Sequence, residues 1–196
     1  MSRTPINLGL ALRPMPGESV CGDQIGVWSQ AGQPLQLALA DGLGHGPGAH
    51  QAAASAMRIL GDLHHLPIDA RFQRCDEQLL DTRGVALALA DIDLHAQRLT
   101  HAAVGNIRSL LLRQGRVTRL GAARGIVGAH FRDLYPEQHD FQPGDWLVMF
   151  SDGIGEDAQI ADALSSAEPT QASAQALLER WASTHDDAAL LLYRHA

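Results

Sequence analysis

Leu35, Leu37 and Leu39 alternate with smaller or polar residues, and the alternation stops at Asp41-Gly42. That period of two predicts a strand with one face buried, ending in a carboxylate. Gly44, His45, Gly46 and Gly48 follow. Then a segment from Pro47 to about Leu63 repeats Ala49, Ala52, Ala53 and Ala56 at helical spacing, with the proline at its start. The order is therefore strand, carboxylate, glycine-rich turn, helix. The same grammar recurs from Asp145 to Gly153, where Trp146, Val148 and Phe150 alternate in a strand that ends at Asp152-Gly153. A third acidic site, Asp186-Asp187, stands just before Ala188 to Tyr193, an apolar run that reads as a buried strand.

The remaining pattern fills in around these three segments. Leu8, Leu10 and Leu12 predict a first strand, ended by Pro14 and Pro16. Gln24 to Ser29 predicts a second, preceded by Asp23 and joined through Ala31-Gly32 to Leu35–Ala40 as a hairpin. A helix from about Asp69 to Leu80 carries Phe72, Cys75 and Leu79 on one stripe. From Gly84 to Gly128 the pattern predicts strands throughout: Val85, Leu87 and Leu89 alternate, Leu99 to Val104 follow, and Ile107–Leu112 turns at Gln114-Gly115 into Val117–Leu120. A short helix over Asp157–Leu164, a loop over Ser165–Thr170 and a helix over Ala172–Thr184, with Ala174, Leu177, Leu178 and Trp181 on its apolar stripe, precede the last strand. Two consecutive helices between strands favour an α+β fold, an antiparallel sheet covered by helices, over a βαβ alternation. With no repeat, low-complexity tract or linker, the 196 residues read as a single domain, 1–196.

Composition narrows the partners. Hydrophobic residues make up 45% and aromatics only 5%, so the core is aliphatic. A net charge of -7 and the lack of a dense basic run argue against a nucleic-acid or anionic-membrane surface. Cys21 and Cys75 have no CxxC spacing, which supports neither a disulfide framework nor a zinc site and fits a reducing, cytoplasmic compartment. No stretch approaches the length of a membrane span, and the N-terminus lacks an uninterrupted apolar region.

The candidate chemistry lies in the carboxylates. If the three acid-bearing strands lie side by side, several carboxylates converge without a nearby lysine, and cations or protons must relieve the repulsion. Oxygen ligands without nitrogen or sulfur competitors select magnesium or manganese. Two such ions bridged by one Asp lower the pKa of a shared water and bind phosphate oxygens, which is equipment for phosphate-ester hydrolysis without a Ser or Cys nucleophile. His95 and His101, in predicted strands, read as surface or hydrogen-bonded residues, and Gly105-Asn106 as a turn that could also line a site.

Four motifs stand in order: Ala40-Asp41-Gly42-Leu43-Gly44-His45-Gly46, Val104-Gly105-Asn106-Ile107-Arg108, Ser151-Asp152-Gly153-Ile154 and Asp186-Asp187-Ala188. In this order and spacing the chain resembles the metal-dependent PP2C-type (PPM) serine/threonine phosphatases, in particular their short bacterial SpoIIE/RsbX-like branch. The resemblance implies an αββα sandwich, two stacked, mainly antiparallel sheets between helix pairs, with two Mn2+ or Mg2+ ions at one end. It implies that Asp41 bridges the metals, that Gly42 offers its carbonyl, and that Asp152 and Asp186, the first of its pair, complete the centre. A metal-bridging hydroxide would attack the phosphate. Asp23 falls where the family often has an acid acting directly or through water, although Gly22 stands before it in place of a Glu. His45 would contact phosphate or act as a general acid. Arg13 does not match the spacing of the family's phosphate-holding arginine, and the last motif lacks a common Thr, reading Asp-Asp-Ala-Ala. The implied substrate is phosphoserine or phosphothreonine on a STAS-domain regulator, an anti-sigma antagonist or stressosome component, opposed by an anti-sigma-type serine kinase. Two alternatives stand beside it: a pseudo-phosphatase acting as a regulatory binding module, which has no need for clustered carboxylates, and a hydrolase of another phosphomonoester.

Overall fold

A computed structural model describes residues 7–155, 159–164 and 167–196. In chain order the elements are β1 (Leu8–Arg13), β2 (Asp23–Trp28), β3 (Leu35–Gly42), α1 (Gly46–Asp62), α2 (Ile68–Gln78), β4 (Val85–Asp93), β5 (Arg98–Val104), β6 (Arg108–Arg113), β7 (Arg116–Arg119), β8 (Glu137–Asp140), β9 (Trp146–Phe150), α3 (Ile160–Leu164), α4 (Gln171–Trp181) and β10 (Ala188–Arg194). The strands form two five-stranded sheets, β1-β10-β9-β6-β7 and β2-β3-β4-β5-β8, and every pairing is antiparallel. The expected α+β sandwich is the observed one.

Three apolar layers hold it together. Between the sheets lie Leu37, Leu39, Leu99, Leu111, Leu147, Met149 and Leu191. On the outer face of the β3 sheet, Ala38, Ala40, Leu87 and Leu89 meet Ala52, Ala53, Ala56 and Phe72 of α1 and α2. On the outer face of the β10 sheet, Ala11, Val148, Leu190 and Leu192 meet Ala174 and Leu178 of α4. The expectation of one buried face for β3 is thus corrected: its leucines fill the space between the sheets, and its alanines are buried too, under a helix that comes close because both sides are small. Gly42 shows how close, since a Cβ there would stand 2.1 Å from the carbonyl oxygen of Ala49.

The pairings settle two points that the sequence left open. The three acid-bearing strands are not side by side: β9 and β10 are neighbours, but β3 belongs to the opposite sheet. The strands from Gly84 to Gly128 are also divided between sheets, because the chain crosses from β5 to β6 through Gly105-Asn106, with Gly105 at φ +96°. Strand β8, Glu-Gln-His-Asp, has no apolar period and pairs only with β5 at the sheet edge. Residues 156–158 and 165–166, which bear on the expected 157–164 helix and the loop after it, lie outside the described residues. Among the described residues no helix is long and apolar enough to cross a membrane.

One polar pair sits in the gap between the sheets. His101 on β5 is fully buried, its Nε2 2.9 Å from Ser109 Oγ on β6, and Nδ1 has no partner. Burial pulls its pKa down to about 4, against a weaker opposing pull from Glu137. The folded state therefore resists protonation that the unfolded chain accepts near pH 6.5. Stability from this site is complete above pH 6.5 and lost as pH falls toward 4, by about 2–3 kcal/mol at pH 4.5. A His101→Gln variant should show a correspondingly flatter fall in urea midpoint between pH 7 and pH 4.5 than the parent chain.

Candidate active site

The acids are gathered by register. Asp23 on β2 pairs with Asp41 on β3 at the end of one sheet, and the Gly42 N–H donates to the Gly22 carbonyl at 3.1 Å to close that end. In the facing sheet β9 runs out at Phe150 and its neighbour β10 begins at Ala188, so Asp152 and Asp186 leave adjacent strands at the same end. Ser151 bridges the two sheets. Its buried hydroxyl donates to Asp23 Oδ2 at 2.5 Å and accepts from the Ala189 N–H at 2.9 Å. Asn106, at the crossover, donates from Nδ2 to Asp152 Oδ2 at 2.6 Å. Four strand ends and one crossover thus meet in one patch.

The charges there oppose each other. Burial, then the charges of Asp23 and Asp152, a hydrogen bond with Asp152 and the charge of Asp186 push the Asp41 carboxyl up to about 9. Burial pushes Asp23 up to about 7, against the Ser151 hydrogen bond, with Asp187, Asp152 and Asp186 adding to the rise. Asp186 is raised by burial and by Asp152 and Asp187. Among the described residues no three Asp, Glu, His or Cys side chains are closed around a single point. The patch is a set of mutually repelling oxygens. Two of these oxygens, Asp23 Oδ1 and Asp187 Oδ2, are buried without a hydrogen-bond partner.

The paired acids at the start of β10 divide their tasks. Asp187 is buried and accepts from the Met15 N–H at 2.9 Å, which ties down the chain leaving β1. Asp186 is half-buried; its Oδ1 accepts the Asp187 N–H at 2.9 Å, and its charge couples to Asp152. Gly22 is closely packed: a Cβ there would meet Asp187 Oδ2 at 2.6 Å and Ala49 Cβ at 2.8 Å, so a larger residue before Asp23 requires those side chains to shift.

The basic residues around the patch are committed elsewhere or stand at its rim. Arg13 donates to the carbonyls of Ala182 and Ser183 at the end of α4. His45, exposed in the glycine-rich turn, lies with Nδ1 2.6 Å from Glu18 Oε1. Arg83 spans that turn, donating to the carbonyl of His45 at 3.3 Å, and lies against Gly48. Glu18, Arg83 and the bridging role of Ser151 escape the sequence reading. For Ser151 the signal was present, because it is the residue before the second Asp-Gly pair; Glu18 and Arg83 carry no local pattern.

Comparisons with known proteins agree with this geometry. The phosphoserine phosphatase RsbX of Bacillus subtilis (strain 168) is 27% identical over 95 residues, 48% of this chain and 47% of that protein, so the chain spans about half the length of this curated relative. A solved structure of RsbX in complex with magnesium superposes with a TM-score of 0.85 at 20% identity, covering 95% of this chain and 94% of the other. A chain from a study of the bacterial stressosome, a modular system adapted to control secondary messenger signalling, is 29% identical with a TM-score of 0.91, covering 97% of this chain and all of the other. The PP2C phosphatase domain of SpoIIE from Bacillus subtilis, with a fragment of its regulatory domain, gives 0.81 at 22% identity, over 99% of this chain and 64% of the other. The fold is therefore that of the PP2C phosphatases. The model of the stage II sporulation protein E (SpoIIE) family matches residues 31–196, from the hairpin before β3 to the end of β10, and on that match the chain belongs to the SpoIIE family.

Proposed function

We propose that this chain is a divalent-metal-dependent protein serine/threonine phosphatase. The observation that carries this reading is the convergence of Asp41, Asp152 and Asp186 from two sheets, where burial and the neighbouring carboxylates raise Asp41 well above the usual carboxylate range, a repulsion that a cation would relieve. An all-oxygen donor set with unpartnered buried carboxylate oxygens beside it fits hard cations. Asp41, the Gly42 carbonyl, Asp152 and Asp186 would hold two Mn2+ or Mg2+ ions, with Asp23 supporting them from behind. When bound, such ions lower the pKa of a coordinated water and attract phosphate oxygens.

The chain's own residues supply the rest. Asn106 fixes the direction of Asp152, and Ser151 locks Asp23 to the opposite sheet. His45, steadied by Glu18, gives a proton to the departing seryl or threonyl oxygen. Among the described residues no side chain near the acids serves as a nucleophile: the Ser151 hydroxyl is engaged on both sides, and burial pushes the Cys21 thiol up to about 12. With Arg13 turned to α4, phosphate is left to the cations.

The substrate is phosphoserine or phosphothreonine on a STAS-domain regulator in a cytoplasmic stress-signalling circuit, opposed by an anti-sigma-type serine kinase. The likeness to a stressosome chain and to a protein named for phosphoserine hydrolysis supports this choice. The test is phosphate release from a phosphoserine STAS protein and from p-nitrophenyl phosphate, with manganese and with a chelator. Release from the phosphoprotein that the chelator stops is expected. Metal-loaded protein that releases phosphate from neither substrate would mark a binding module instead, and turnover of the small ester exceeding that of every phosphoprotein would mark a different hydrolase.

A further inference from the structure

Among the described residues the helix layer is complete over one sheet and incomplete over the other. Helices α1 and α2 cover the β3 sheet, whereas α4 packs on β1 and β10 and leaves β6 and the edge strand β7 to the five-residue α3. A trough remains there. It consists of two adjoining grooves of about 430 and 480 Å3 that share Val117, Ala161 and Asp162. The lining of the first groove includes Asn106, which donates to Asp152, so that end of the trough lies one side chain from the acidic patch. Leu110, Phe150 and Ile160 give it an apolar lining, and Val117 is 42% exposed on the edge strand.

The charge on its β6–β7 wall is lopsided, with Asp162 and Glu168 on the facing side. Residues 94–132 contain seven arginines and no Asp or Glu, in a chain whose net charge is -7. Arg113 is taken up by Asp145, and Arg108 donates to the Ile154 carbonyl. Arg119, which lines the first groove, is exposed and has no carboxylate partner among the described residues. Asp162 on the facing wall already has an interaction of its own. An uncovered apolar floor beside one uncommitted guanidinium suits a polypeptide segment that mixes apolar and acidic side chains better than a polyanion, which would gain nothing from the apolar floor and meet a single free cation.

We propose that this trough seats the extended segment of the phosphorylated protein beside the phosphorylated residue, with an acidic side chain on Arg119 and an apolar one over Val117. The inference rests on the phosphatase reading and deepens it, by naming a sequence feature of the substrate. The test uses two phosphoserine peptides that differ only in an acidic residue or alanine near the phosphoserine, their non-hydrolysable phosphonate versions, and p-nitrophenyl phosphate, all with manganese. In Arg119→Glu, the KM for the acidic peptide and the Kd of its phosphonate should rise at least tenfold, those of the alanine peptide less than twofold, and the kcat and the p-nitrophenyl phosphate rate should hold. Val117→Asp should weaken both peptides and spare the small ester. Equal change on both peptides in Arg119→Glu, or equal loss on p-nitrophenyl phosphate, would overturn the proposal, as would displacement of the peptide by a short oligonucleotide at lower concentration than by the acidic peptide itself. If the parent chain binds the acidic phosphonate through Arg119 but hydrolyses nothing, the trough stands and the catalytic reading falls.

Discussion

Asp41→Asn is expected to cut manganese-dependent phosphate release by at least about a thousandfold while making the metal-free protein more stable at pH 8. Both halves follow from one arrangement. Asp41 lies opposite Asp23 in register and is coupled to Asp152 and Asp186, and the sum of burial and repulsion lifts its pKa to about 9. A carboxyl raised in the fold above its unfolded value stabilises the chain most below about pH 4, and that contribution is lost as pH rises toward the folded value. Asp23, raised to about 7, acts in the same direction. An asparagine amide cannot ionise, so the metal-free variant should gain on the metal-free parent in melting temperature as pH climbs from 4 to 9. Manganese should reverse the order, because it relieves the repulsion only where the carboxylate remains. A fluorimetric melting series over pH, with and without metal, reads both signs in one plate.

Arg71→Ala should destabilise the fold by about 3–5 kcal/mol, the largest loss expected from a single change outside the acidic patch. Arg71 on α2 is 1% exposed, and its guanidinium donates to Asp91 on β4. Burial raises the Asp91 carboxyl, and Arg71 pulls it back down. Removing the cation leaves Asp91 largely buried with its charge uncompensated, and cuts a tie between α2 and the middle strand of the β3 sheet. Urea unfolding should show the loss as a lower midpoint with the slope unchanged. The double variant Arg71→Met with Asp91→Leu should recover most of it, since an apolar pair of similar volume incurs no ionic desolvation.

These two residues differ in how far the sequence announces them. Asp41 ends a run of alternating leucines and is followed by four glycines within seven residues, a pattern that locates a carboxylate at a strand end. The repeat of that grammar at Asp152 and the acid pair before β10 were legible for the same reason. Arg71 lies beside the Phe72, Cys75 and Leu79 stripe and reads as a solvated charge, because its partner is twenty residues away on another element. Long-range pairing also hid which strands belong to which of the two expected sheets. Apolar alternation gives the faces of a strand but not its neighbours, so whether β3 and β9 share a sheet was open in the sequence; they face each other across the core. Strand β8 was invisible because Glu137 to Asp140 hold their place by backbone pairing with β5 rather than by burial. The choice of Asp186 over Asp187 as the candidate ligand came from the motif, and burial supplies a reason for it: Asp187 is enclosed and holds the Met15 N–H, while Asp186 stays open toward Asp152.

The central claim is that the acids from two sheets form a metal centre, and calorimetric titration of the chain with manganese at pH 7.5 tests it most directly. Saturable binding to the parent chain with protons released on uptake, and loss of at least one binding event in Asp41→Asn, is the result this account predicts. Parent protein that takes up no manganese at millimolar concentration, or an Asp41→Asn isotherm indistinguishable from the parent's, would contradict it.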